Sequence, residues 1–282
     1  MPGEATRPRV LTIAGSDSGG GAGIQADLKT FSVLGVFGMT AITAVTVQNT
    51  MGVSSYQELS AQTVGDQIRS VASDIGVDAA KTGMLASSGI IDAVADALEE
   101  TGVRNLVVDP VFVSKHGHPL LAEDAVGALK RRILPRAALV TPNLPEASRL
   151  VGERILARDD MRRAADRILA LGSSAVLVKG GHLEGATTAA DLFADGSVEV
   201  WIEAERIETP HTHGTGCTLS AAIASHLARG EELLEAVRAG KAFVTEAIRH
   251  ALPLGRGIGP VDQLWPIPPV SVTRPSSRTR SS

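Results

Sequence analysis

Val10-Leu11-Thr12-Ile13-Ala14 runs into Gly15-Ser16-Asp17-Ser18-Gly19-Gly20-Gly21-Ala22-Gly23, and then into an amphipathic stretch that ends at Leu34. The short apolar run closed by glycine predicts a buried strand. The glycine segment predicts a turn, and residues 22–34 predict a helix. Strand, glycine turn and helix in that order form the opening of a βαβ unit. The same alternation continues outward from it. Residues 39–47 are rich in β-forming side chains. Helical patterns at 61–73, 87–99, 123–132 and 159–171 alternate with apolar runs at 78–81, 105–108, 137–140 and 175–178. Residues 190–193 and 198–202, joined by Asp195-Gly196, predict a hairpin, and 218–228 and 233–250 predict two more helices. The fold class is therefore α/β, with a mostly parallel sheet covered by helices on both faces. No composition break divides the chain, so residues 9–265 are expected to form one domain. Residues 1–8 are an extension, and 266–282, rich in Pro, Ser and Arg, are expected to be a disordered tail.

Composition excludes several classes. The chain has 282 residues, 44% of them hydrophobic and 21% charged, which suits a globular protein. A net charge of −4 gives no electrostatic case for a nucleic-acid partner. One cysteine cannot form an internal disulfide and fits a reducing compartment. No apolar run is long enough to span a membrane, and the first residues lack the apolar core of a signal peptide. A cytoplasmic location is expected. Of the 27 basic residues only six are lysine: Lys29, Lys81, Lys115, Lys130, Lys179 and Lys241. A lysine kept against an arginine bias is a candidate for a compact point charge, although the bias can also be genomic.

Ligands of open α/β sheets bind beyond the carboxyl ends of the strands. The residues after each apolar run are Gly15-Ser16-Asp17, Gln48-Asn49, Lys81-Thr82-Gly83-Met84, Asp109-Pro110-Val111, Thr141-Pro142-Asn143 and Lys179-Gly180-Gly181-His182. Carboxylates, lysines and small polar groups on one edge suit phosphate and Mg²⁺ chemistry. Two glycine segments, 15–23 and His213-Gly214-Thr215-Gly216-Cys217-Thr218, each lead into a helix and can present backbone N–H groups to an anion. Neither is a Walker A loop and neither has the GxGxxG spacing, which weakens the P-loop and dinucleotide readings.

The segment from Ala14 to Thr30 closely resembles the start of the bacterial hydroxymethylpyrimidine/phosphomethylpyrimidine kinases of thiamin biosynthesis. Thr141-Pro142-Asn143-Leu144-Pro145-Glu146-Ala147 is similar to their Mg·ATP motif. Lys179-Gly180-Gly181-His182, Thr212-His213-Gly214-Thr215-Gly216-Cys217-Thr218-Leu219-Ser220 and Gly257-Ile258-Gly259-Pro260-Val261 match in the same order. The resemblance implies the ribokinase-like α/β/α fold, ATP as donor, a small pyrimidine as acceptor, two successive phosphorylations and a homodimer. It implies that Lys179 and the Gly214–Cys217 turn, with Gly216 and Cys217 as catalytic groups, handle the phosphates. Asn143, Thr215 and Gly257 are implied at the nucleotide, and Asp109 and Glu146 at Mg²⁺. Gly15, Asp27, Gln48, Met84 and Val111 are implied around the pyrimidine. Cys217 stands where the wider superfamily usually has Asp.

Each assignment has a plainer rival. Cys217 can be a small buried hydrophobe, Lys179 can simply pair a carboxylate, and Asp109 can cap a turn. Glu146 can be an early-helix acid, Gln48 can satisfy backbone, and Met84 can be core. The histidines at 182, 211 and 213 make a poor zinc set. Lys115-His116-Gly117-His118 is either a flap over the pocket or an ordinary loop. Two functional rivals remain: a pyridoxal kinase of the same fold, against which Gln48 argues, and a non-catalytic pyrimidine-binding regulator, against which the retained Asp109, Glu146 and Lys179 argue.

Overall fold

The computed structural model describes residues 6–113, 117, 120–122, 124–181 and 188–270. Most of the motif 115–118, and His182, lie outside the described residues.

An eight-stranded sheet runs through the centre of the molecule. It contains β1 (Arg9–Ala14), β2 (Phe37–Ile42), β5 (Ala79–Thr82), β6 (Leu106–Val108), β7 (Leu139–Val140), β8 (Val176–Val178), β9 (Thr188–Ala194) and β10 (Glu199–Glu205), in the spatial order β10-β9-β8-β7-β6-β5-β1-β2. The strands from β2 to β8 pair in parallel, and the β9–β10 hairpin closes one edge antiparallel. Alternate side chains of a strand point to opposite faces, so each central strand serves two cores. Leu11, Ala80, Val108, Val140 and Val178 pack with α2 (Ala61–Asp74), α3 (Ser88–Thr101), α5 (Leu144–Val151) and α6 (Arg158–Leu169). Val10, Ala79, Val107, Leu139 and Leu177 pack with α1 (Gly23–Val33), α7 (Thr215–Ala228) and α8 (Leu233–Arg249). The expected α/β/α sandwich is the fold observed, and none of the described helices is long and apolar enough to cross a membrane.

Three details differ from the sequence reading. The stretch 39–47 is not one strand. The chain breaks at Thr43, whose N–H donates to Ala14 O and whose hydroxyl donates to Met84 O. β2 stays in the main sheet, while β3 (Ala44–Asn49) leaves it to pair with β4 (Gly52–Glu58) in a separate antiparallel ribbon. β4 is mostly exposed and carries little apolar pattern to announce it. The eight residues of α5 contain Pro145, which is tolerated because it lies in the first turn. Finally, the segment expected as a helix over 123–132 is composite. One α-turn, α4 (Ala125–Ala128), passes into a π-helical turn and a 3₁₀ turn ending at Arg136.

Candidate functional site

A cavity of about 750 Å³ opens at the carboxyl ends of β1, β5, β6, β7 and β8, where the parallel sheet leaves its loops. Along it lie Gly15, Gln48, Met84, Val111, Asp109, Asn143, Glu146, Lys179, Gly214, Thr215, Gly216 and Cys217. The fold therefore brings together candidates that are spread over two hundred positions of chain.

The floor is the N-terminus of α7. Gly214 precedes the helix with φ at 82°, in the left-handed region, and a Cβ there would lie 1.9 Å from the carbonyl oxygen of Gly21. Glycine is the residue that meets both demands. The close approach locks the two glycine segments against each other. The first turn of a helix leaves N–H groups without intrahelical partners, the arrangement that suits an anion. Gly216 sits where a Cβ would be 3.2 Å from Asp109 Oδ2 and 3.4 Å from Lys179 Nζ, so the turn is next to the charged cluster.

That cluster is a carboxylate–ammonium–carboxylate arrangement. Lys179 Nζ is 3.1 Å from Asp109 Oδ1 and 3.9 Å from Glu146 Oε2. Glu146 also closes a capping box at the start of α5. It accepts from Asn143 N–H at 2.7 Å, while Asn143 Oδ1 accepts from Glu146 N–H at 2.9 Å. The plainer reading of Glu146 as a helix-start residue thus holds together with its place in the cavity. Burial, opposed by Lys179 and reinforced by the nearby Asp109, pushes the Glu146 carboxyl up to about 7. Burial disfavours the Lys179 ammonium, but Asp109 and Glu146 outweigh it, and its pKa is raised.

Two expected residues lie elsewhere. Asp27 does not line the cavity. It is fully buried behind the wall, accepting from Thr12 Oγ1 at 2.6 Å and from Lys81 Nζ at 2.9 Å. It is Lys81, also 0% exposed by surface area, that reaches the cavity lining. Burial alone would lower the pKa of Lys81, yet the Asp27 carboxylate raises it above the ordinary lysine value. Gly257 is likewise absent from the lining. Its N–H donates to Thr50 Oγ1 at 3.3 Å, and a Cβ on it would meet Thr50 O at 2.0 Å, so it packs on the β3–β4 turn.

The sequence reading named Asp17, His213 and Lys241 without giving them their part in organising the site, and did not name Asp191. Asp17, 2% exposed, gathers three N–H groups of the first glycine segment, from Gly19, Gly21 and Ala22. His213 Nε2 lies 2.9 Å from Asp17 Oδ2. Asp191 accepts from Gly180 N–H at 3.0 Å and from Lys241 Nζ at 2.7 Å. The available signal was the scarcity of lysine, because Lys81, Lys179 and Lys241 all come to this cavity. Cys217 is the one cysteine, partly exposed to the cavity. Burial pushes its thiol up to about 11, with Lys81 pulling the other way.

A sequence model described as phosphomethylpyrimidine kinase matches residues 17–262. The chain belongs to the phosphomethylpyrimidine kinase family. It is 54% identical over 260 residues to a hydroxymethylpyrimidine/phosphomethylpyrimidine kinase of Streptomyces coelicolor, covering 92% of this chain and 96% of that one. Two solved structures are similar. One is an ADP complex of Bacillus subtilis pyridoxal kinase, at 42% identity and a TM-score of 0.86, covering 92% of this chain and 98% of that one. The other is phosphomethylpyrimidine kinase from Clostridium difficile, at 45% identity and a TM-score of 0.76, covering 85% and 99%. The fold is ribokinase-like and the kinase is a phosphotransferase.

The buried pair of the kinase makes a direct stability test. Asp27→Asn leaves the Lys81 ammonium buried without its counter-charge and should cost about 3–5 kcal/mol. Adding Lys81→Met should recover most of that loss. Denaturant melts of the two variants measure it. A single variant no less stable than the wild type would contradict the buried ion pair.

Proposed function

We propose that the kinase transfers the γ-phosphoryl group of ATP to the hydroxymethyl group of 4-amino-5-hydroxymethyl-2-methylpyrimidine, and then phosphorylates the resulting monophosphate, in thiamin biosynthesis. The observation that carries this reading is the single cavity that holds an anion-binding helix terminus with Cys217 in its first turn, the Asp109–Lys179–Glu146 cluster and the Gln48 amide.

Lys179 and the N–H groups of the 214–217 turn stabilise the charge on the transferring phosphoryl group. Asn143, whose side chain is committed to capping α5, holds Glu146 in place. Thr215 Oγ1 donates to Thr212 O at 2.8 Å and fixes the turn. Asp109 and Glu146 offer hard oxygen donors on either side of Lys179. One or two carboxylates, completed by phosphate and water, are what Mg²⁺ takes, so the donor set fits it. When bound, Mg²⁺ supplies neutralisation of phosphate charge. The hydroxyl oxygen forms the new bond to the γ-phosphorus, the bond from the γ-phosphorus to the bridging oxygen breaks so that this oxygen leaves with ADP, and the hydroxyl proton passes to the Cys217 sulfur. Phosphoryl transfer of this kind is loose and needs little early proton removal. With a thiol pushed up to about 11, Cys217 is protonated at rest near neutral pH and first of all orients the hydroxyl. Its small thiolate fraction, favoured by Lys81, serves as the base.

The second reading is a pyridoxal kinase, favoured by the pyridoxal kinase structure that the chain resembles. Gln48 separates the two. Its amide offers a donor and an acceptor side by side, which match a ring nitrogen next to an exocyclic amine. Pyridoxal lacks that amine. ATP-dependent phosphorylation of the pyrimidine, its monophosphate and pyridoxal, run in parallel, should favour the pyrimidines. Gln48→Met should cut kcat/KM for the pyrimidine by about 5–150-fold, the equivalent of 1–3 kcal/mol for an unpaired polar group, and leave ATP affinity unchanged. Better turnover of pyridoxal by the wild type would select the second reading.

Cys217→Ser should keep ATP binding and lower kcat by about 10²–10⁴, the usual share of a general base. Cys217→Asp should restore part of it. In the wild type kcat should rise with pH above 7, because thiolate accumulates toward the raised thiol pKa, and this rise should vanish in Cys217→Asp. Near-normal kcat in Cys217→Ser removes the base role.

We also read the protein as a cytoplasmic homodimer. The lone working thiol suits a reducing compartment. On β3, Thr46 and Gln48 turn toward the site, while Val45 and Val47 on the other face are 49% and 59% exposed. Phe37 on the edge strand β2 is 49% exposed. Such an apolar face suits a second copy of the chain. Val47→Asp should convert the dimer to a monomer in sedimentation equilibrium, and a wild type that sediments as a monomer refutes it.

A further inference from the structure

His213 joins three segments. Its N–H donates to Gly259 O at 3.1 Å, and its carbonyl accepts from Val261 N–H at 3.0 Å. Its ring Nε2 lies 2.9 Å from Asp17 Oδ2 and 3.2 Å from the Gln48 side-chain amide. Both partners meet the same ring nitrogen, which carries either a proton or a lone pair.

Asp17 decides between them. Its Oδ1 accepts from Gly19 N–H at 2.8 Å and its Oδ2 from Gly21 and Ala22 N–H at 3.0 and 2.8 Å, the contacts of a carboxylate acting as acceptor on both oxygens. An ionised carboxylate can only accept. Nε2 therefore carries the hydrogen. The atom of Gln48 that faces it must then be the carbonyl oxygen, and the two ends of an amide have the same outline and are told apart by their partners. In that orientation the amide nitrogen lies on the side of Thr46 Oγ1, which is 3.4 Å from the other amide atom. Thr46 Oγ1 donates its own hydrogen to Ser16 O at 2.8 Å, so it can accept one from the amide. The single Nε2 hydrogen is then shared, with Asp17 Oδ2 the nearer acceptor at 2.9 Å and the Gln48 carbonyl the second at 3.2 Å, while the amide N–H donates to Thr46 and Thr46 to Ser16.

We propose that His213, held as the Nε2–H tautomer by Asp17, is a positioning residue that fixes which way the Gln48 amide faces and so sets the donor–acceptor pattern read on the substrate ring. This rests on the reading that Gln48 contacts the heterocycle. A freely rotating glutamine reads either order of donor and acceptor. A glutamine tied to Nε2–H presents one order, and an aminopyrimidine edge of the matching order gains over a pyridine that lacks the amine.

The test uses the full-length kinase labelled with ¹⁵N-histidine. Long-range ¹H–¹⁵N correlation at pH 8, with the His213 signal assigned by its loss in His213→Asn, should show Nε2 protonated and Nδ1 bare. Steady-state kinetics of His213→Asn should show KM for hydroxymethylpyrimidine raised about tenfold, a smaller change in kcat, and unchanged ATP affinity. Its preference for the pyrimidine over pyridoxal should fall toward that of Gln48→Met, and the double variant should add little to either single one. An Nδ1–H tautomer in the wild type overturns the proposal even where Gln48→Met is defective, and if His213→Asn does not fold the signal is assigned instead by its loss in His213→Gln. Additive losses in the double variant also overturn it. An unchanged pyrimidine KM in Gln48→Met instead removes the underlying reading, and the proposal with it.

Discussion

The contact between Gly214 and the carbonyl of Gly21 constrains most of what surrounds it. Two loops from opposite ends of the chain meet there with no side chain between them. Asp17 gathers the N–H groups of one loop, and His213 ties it to the other. A Cβ at position 214 would push the loops apart, and the first turn of α7 would move with them. The start of α7, the location of Cys217 and the contact of His213 with Gln48 all depend on that approach. The site is therefore built on backbone proximity, which is stiffer than contacts between long side chains.

Each lysine of the cavity stands against at least one carboxylate. Lys81 pairs Asp27, Lys179 pairs Asp109 with Glu146 nearby, and Lys241 pairs Asp191. An isolated ammonium at such depth would lose its charge. A carboxylate partner keeps it charged without supplying the geometry of a phosphate. Under the proposed function, Lys179 would turn toward entering phosphates and leave the carboxylates to a divalent cation. Lysine suits this better than arginine, since a compact ammonium can change partners without re-aiming a planar fork. That gives the three cavity lysines of an arginine-rich chain a physical reason.

Much of this was legible in the sequence, because strand and helix periods and glycine turns are local properties. The glycine segments 15–23 and 213–218 each led into a helix and so offered backbone N–H groups to an anion, and the strand-end rule placed Asp109, Asn143 and Lys179 on one edge before any coordinates. β4 and α5 were not legible, since a polar ribbon and an eight-residue helix containing proline carry too little apolar pattern. Asp27 and Gly257 show the other limit. Sequence places a residue near a site, but which side of the wall its side chain occupies depends on packing. Asp27 faces inward because α1 presses it against β1 and β5, so Lys81 reaches the cavity instead. Gly257 is held by Thr50, from a ribbon whose departure from the main sheet no local signal foretold. The sequence by itself determined the fold class, the chemistry of the edge and the identity of the thiol. Only the tertiary structure decided that His213 faces Gln48 and that two glycines touch, because both are contacts between segments at least 165 residues apart.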